Sequence, residues 1–197
     1  MRRLVSMVAI VLCATMIGGC DDEPKLPPSK SGLKKLAVRM LEASRKGNMT
    51  TVVDMTYPTV IDGLGGRSKA IKTFTESYKR LKEDHMKILL CEVESVGNFY
   101  TERRWTFSLI RTRTEIEVPD GTMVERKHML AISEDEGKTW KFLETAGLED
   151  ETARIFAIPK LPEGLKLPDE IPVEFIPNED KDASGQENAD ENKSDRT

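Results

Sequence analysis

Two histidines, three cysteines and three tyrosines among 197 residues leave this chain little material for chemistry. His85 and His128 each lack a second histidine or cysteine at ligand spacing, so no metal site is expected. General acid–base chemistry needs a titratable group in an apolar pocket that tunes its pKa, and the candidates for that are His128 and Asp54. His128 shares a strand face with Val124, Leu130 and Ile132, while Asp54, Tyr57 and Tyr78 come from the helical half. Arg103 lies on the face of Trp105 and Phe107, where it could stand at a pocket mouth and attract an anion. Tyr57, Tyr78, Arg103, Trp105 and His128 are therefore the candidate ligand-binding residues. Each has an ordinary reading too. His128 could be a solvent-edge residue between Lys127 and Met129, and Arg103 could pair with a surface carboxylate. No Ser/His/Asp or Cys/His constellation can be assembled, so no catalytic residue is assigned and no cofactor is expected.

Three further features carry structure rather than chemistry. Gly63-Leu64-Gly65-Gly66 precedes a helix, but no strand comes before it, it lacks a lysine-serine ending, and its spacing is not that of a dinucleotide fingerprint. A helix-entry loop is the better reading. Ser133-Glu134-Asp135-Glu136-Gly137-Lys138-Thr139-Trp140 matches the S-x-D-x-G-x-T-W box, which recurs once per blade in β-propellers. Here it occurs once, in a chain too short for a propeller, so its content is a turn: Asp135 bonding nearby backbone, Gly137 at positive φ, Trp140 packing down. Cys91 lies in the apolar run Ile88-Leu89-Leu90-Cys91, where a small core residue is expected instead of a nucleophile.

The elements that must position these residues change character near residue 85. Leu33, Leu36, Ala37, Met40 and Leu41 recur at helical spacing, with Ser31 as the expected N-cap and Gly47 as the stop. Asn48 caps a short second helix that the Tyr57-Pro58 step ends, and a glycine-rich loop leads to a third helix from residue 67 to about 84. The period then becomes alternating. Strands are expected over residues 86–96, 99–118, 122–133 and 138–144. In the second of these, apolar bulk moves from odd positions (Trp105, Phe107, Leu109) to even ones (Ile110, Ile116, Val118), which predicts a β-bulge or bend near Leu109-Ile110. Residues 155–177 interleave five prolines with apolar residues, which reads as an extended arm lying along the domain surface. Beyond Asn178 the chain carries seven acids against three bases and no large apolar residue, the composition of a disordered tail.

The amino terminus has an organisation of its own. Met1-Arg2-Arg3 is followed by a 14-residue apolar run, Leu4 to Ile17, too short for a spanning helix at about 20 residues, and then by Gly18-Gly19-Cys20. This segment resembles the signal of a bacterial lipoprotein precursor. The resemblance implies that Cys20 is acylated and is the first mature residue, that the lipid bilayer is a partner, and that the domain sits on the exported face of the membrane. Asp21 would then favour the inner membrane. Residues 21–28, polar and proline-rich, suit a tether. Without residues 1–19 the chain has 178 residues, with 28 bases against 34 acids, a charge of −6 that makes nucleic acid an unexpected partner.

The fold class expected is α+β: three N-terminal helices packed on a strongly bent antiparallel sheet of about four strands, with an extended proline-rich C-terminal segment. That order resembles the cone fold of the NTF2-like superfamily, and Lys46-Gly47-Asn48, Tyr57-Pro58, Gly65-Gly66-Arg67 and Gly137-Lys138-Thr139-Trp140 agree with it locally. The expected organisation is a signal peptide over 1–19, a tether over 20–30, an NTF2-like domain over 31–150, the arm over 151–177 and the acidic tail over 178–197. The resemblance implies a pocket at the open end of the cone. A non-catalytic module is expected, binding a small ligand or pairing as a homodimer or with an envelope protein. The alternative is a small isomerase or dehydratase using His128 or Asp54.

Overall fold

The structure, a computed structural model, describes residues 29–146, 148, 154, 157, 158 and 161–178. The expectations for Cys20, Asp21, the signal, the tether and the acidic tail beyond residue 178 fall outside these residues. Among the described residues the fold is α+β, with four helices followed by an antiparallel sheet of six strands.

Helix α1 (Lys30–Arg45) buries Leu33 and Ala37 on the face that the spacing marked, with Leu36, Met40 and Leu41 beside them. Its cap is Ser29, not Ser31: the Ser29 side chain accepts from the Gly32 amide. Gly47 takes φ 75° after the helix, where a side chain would collide with the Tyr78 ring. Asn48 caps α2 (Met49–Met55) by accepting from the Thr51 amide, as expected. The Tyr57-Pro58 step ends α2, but it also starts a further helix, α3 (Pro58–Gly63), with the proline in its first turn. Four helices therefore replace the expected three, because a proline that cannot continue one helix is preorganised for the first turn of the next. Helix α4 (Arg67–Glu83) enters through Gly65 and Gly66, both at positive φ, and buries only Ala70.

The strands are β1 (Lys87–Val96), β2 (Tyr100–Glu102), β3 (Trp105–Val118), β4 (Gly121–Ser133), β5 (Lys141–Glu144) and β6 (Glu174–Pro177). The sheet order is β1-β3-β4-β5, with β2 pairing β3 and β6 pairing β4. Six strands replace the expected four for two reasons. The run over 99–118 is broken into a tight hairpin at Arg103, which adopts φ 58°, and the end of the proline-rich arm docks as an edge strand.

The expected bulge at Leu109-Ile110 is absent from the β3–β4 ladder, which runs without a shift from Thr106↔Ser133 to Val118↔Gly121. Two irregularities lie on β1 instead, one between Ile88 and Leu90 and one between Val93 and Ser95, the latter opposite Thr112 and Arg111. The change of apolar phase in β3 has another cause: both faces of the sheet are covered. Ile110, Met129, Ala131 and Phe142 face α1 in one core, while Phe107, Leu130, Ile132 and Leu143 lie in a second. Leu148, Ile158 and Leu165, from the stretch after β5, seal that second core, so the arm's apolar residues do lie on the domain.

Candidate functional site

Where α1, α2, α3 and α4 meet the sheet, side chains leave a cavity of about 590 Å³. Helix α1 presents Met40, Leu41 and Ser44, and α2 presents Val52 and Thr56. Val60 of α3 and Phe74 of α4 close the helical side, and Met129 and Phe142 form the floor. The Thr56 hydroxyl is committed to the Val52 carbonyl at 2.8 Å, so Ser44 and, at the rim, the exposed Glu144 supply the polarity. This volume and this lining suit a small apolar molecule, since ligand sites run to about 300–1,000 Å³ and are mostly apolar with few polar groups.

Helical entry and strand pairing both fix this cavity. The Tyr57 amide donates to the Phe142 carbonyl at 2.8 Å and Thr56 bridges Phe142 in parallel, which ties the α2–α3 corner to the edge strand β5. Lys141 of the same strand reaches the carbonyl of Asp54.

The residues singled out for chemistry are dispersed around this cavity. Asp54 is solvent-exposed and held bidentately by Arg67, Nε to Oδ1 at 2.8 Å and Nη2 to Oδ2 at 3.1 Å. That guanidinium keeps its carboxyl below the ordinary value, so it stays ionised. Tyr57 is 4 % exposed and sits in the second core, its hydroxyl 3.5 Å from Glu134; burial, with Glu134 beside it, pushes its pKa up to about 12. Tyr78 donates to the Arg45 carbonyl at 3.0 Å and stacks under the Lys82 ammonium. Arg103 is an exposed hairpin residue, and Trp105 stacks on Phe107 with ring centroids 6.1 Å apart. Arg103 is not among the side chains that line the cavity described above.

His128 is half-buried opposite Arg111; burial and then Arg111 lower its pKa, with Glu94 opposing. It lines a separate, polar cavity of about 270 Å³ with Lys127, Glu144, Asp169 and Glu170. Burial works against the Lys127 ammonium, but Glu144, Glu125 and Glu170 outweigh it and raise its pKa. Of the residues expected to share one site, none lines the apolar cavity. Sequence reasoning missed that cavity because Met40, Phe74, Met129 and Phe142 are of the same types as core residues, and no residue type marks a void.

No cluster of metal-ligating side chains occurs among the described residues, nor does any helix long and apolar enough to cross a membrane. Cys91 is half-buried in β1, and burial raises its thiol pKa. The box at Ser133–Trp140 is a turn: Asp135 Oδ1 accepts from the Lys138 and Thr139 amides, Gly137 sits at φ 91°, and Trp140, 8 % exposed, donates to the Gly137 carbonyl at 3.0 Å. Comparison with known protein families, curated proteins and solved structures returns no match.

Proposed function

We propose that this chain is a bacterial envelope lipoprotein, anchored through acylated Cys20, whose NTF2-like cone is a non-catalytic module binding a small apolar ligand. The observation that carries the binding reading is the 590 Å³ apolar cavity between the helices and the sheet. Helices preceding an antiparallel sheet, with a cavity between the two layers, support the cone. An isomerase or dehydratase would need His128 or Asp54 in that cavity, and both stand outside it. Two or more acyl chains, at about 0.8 kcal/mol per buried CH₂, would hold the domain on the exported face of the membrane, and Asp21 favours the inner one.

Native mass spectrometry of the full chain released from membranes tests the ligand. An apolar adduct is expected on the wild type and should be lost from Ser44→Trp, which fills the cavity; a folded wild type that never carries or takes up an apolar molecule would end the reading. Cys20→Ala tests the anchor and should leave an unprocessed or soluble product on fractionation. An unchanged mass and membrane association would remove it.

A pairing role rests on a separate observation. Val173, Phe175 and Ile176 on and beside β6 are each about half exposed, the largest such group among the described residues. Sedimentation should show a wild-type dimer that Phe175→Asp reduces to a monomer, whereas a monomeric wild type argues against this surface.

A further inference from the structure

Formal charge is divided between the two halves of the domain. Residues 29–86, the helices and their loops, hold twelve lysines and arginines against six acids, a charge of +6. Residues 87–178, the strands and the arm, hold twelve against eighteen, a charge of −6. Ion pairing sharpens the division. Among the described residues, Lys46–Glu42, Arg67–Asp54 and Lys72–Glu76 are the ion pairs of the helical half. Nine cations remain there against three carboxylates, those of Asp62, Glu83 and Asp84. Lys30 donates to the Asn98 side chain and Lys82 lies over the Tyr78 ring, contacts that leave both charges in place. Strand β1, against which α1 packs, does not compensate them: its Glu92 and Glu94 are taken by Arg113 and Arg111.

These cations belong to one layer. Helix α1 packs on the sheet through Leu33 and Ala37, and Phe74 and Tyr78 of α4 pack with Ala43 of α1 and with Met49 and Val52 of α2. The Tyr78 hydroxyl ties α4 to the carbonyl of Arg45 at the end of α1. Lys34, Lys35 and Arg39 on α1, with Lys79 and Arg80 on α4, are all exposed. The arm packs on the opposite face of the sheet.

We infer that the solvent side of this helical layer docks on the anionic lipid head groups of the bilayer that holds Cys20, so that the domain lies helices-down with its acidic half turned away. This rests on the acylated anchor proposed above and goes further in assigning the face and the charge of the lipid. The path of the chain selects a bilayer among anionic partners. Cys20 and Ser29 are nine residues apart, a reach of at most about 30 Å, and Ser29 is itself the cap of α1. The anchor therefore delivers the basic layer to the membrane surface. It also makes the contact intramolecular, so that a gain of roughly fivefold for each cation brought to an anionic surface suffices without a shaped site. Asp21, Asp22 and Glu23 in the tether, offset by Lys25, are too few to neutralise nine cations.

The test places the full-length acylated chain in nanodiscs of pure phosphatidylcholine or of phosphatidylcholine rich in phosphatidylglycerol, and measures lysine acetylation rates by mass spectrometry. In the anionic discs Lys34, Lys35 and Lys79 should react about threefold more slowly or less, whereas Lys138 and Lys166, on the strand and arm side, should keep their rates. High salt should abolish the difference while the chain stays in the disc, because screening acts on the head groups and not on the acyl chains. Combining Lys35→Glu, Arg39→Glu and Lys79→Glu should remove the protection of Lys34, with unchanged rates at Lys138 and Lys166 showing that the domain is still folded. Equal rates in the two discs, protection that survives salt, or protection of Lys138 and Lys166 instead overturns the inference and leaves the anchor in place. Protection in both discs that grows with protein concentration also overturns it, in favour of a second copy docking through its acidic half. A chain that carries no acyl group and leaves the disc overturns anchor and inference together.

Discussion

At the residue scale, two side chains have pKa values whose cause is visible in their contacts. Burial raises the Asp135 pKa, but hydrogen bonds from Thr139, Ser133 and Lys138 outweigh it and hold the carboxyl below its ordinary value of 3.8. A carboxyl whose folded pKa is depressed stabilises the fold above its unfolded pKa, and that stabilisation is lost as pH falls through the folded value. Asp135→Ala should therefore cost about 1–3 kcal/mol at neutral pH, the loss of several hydrogen bonds to an anion, and less in acid, as read from urea melts at pH 7 and pH 3. Tyr57 works in the opposite sense. Its phenol is raised from 10.0 to about 12 by burial and by Glu134, so the neutral form supports the fold, and this support is lost as pH rises through that window. An absorbance titration at the phenolate band should show a step near pH 12 that Tyr57→Phe removes; a wild type fully titrated by pH 11 would refute the burial argument.

At the element scale, the proline-rich arm is part of the folded structure. Leu165 is 6 % exposed and packs with Phe107, Leu130 and Ile132 across the sheet. Leu165→Ala should cost about 2–5 kcal/mol by chemical denaturation, comparable to any core position, whereas an arm that is only a spacer would show no change. Helix α4 is the opposite case. Its amides should exchange faster than those of α1, which packs against β1 and buries three residues, and equal protection would count against this contrast. Helices α1, α2 and α4, the caps at Asn48 and Gly47, and the turn at Asp135 were legible because each depends on residues within a few positions, whereas α3 was not. The hairpin at Arg103 was not, because an arginine at positive φ carries no local signal and is held there by the pairing of β2 on β3.

At the scale of the whole molecule, the sheet is covered on both faces, by helices on one side and by the returning arm on the other. An alternation argument assumes one wet face, which is why the apolar residues of β3 read as a change of phase. The sequence by itself determined the α+β class, the helical half ending near residue 85, the turn at 133–140 and the contact of apolar arm residues with the domain, since composition and period carry all of these; that the arm covers the second face of the sheet was decided by the tertiary structure. Only the tertiary structure decided that Asp54, Tyr57, Tyr78, Arg103 and His128 do not line one common cavity, and that an apolar space opens between Phe74 and Phe142 instead. The physical reason is that a void belongs to no residue. It is the space left when four helices and two strands, distant along the chain, pack without quite meeting.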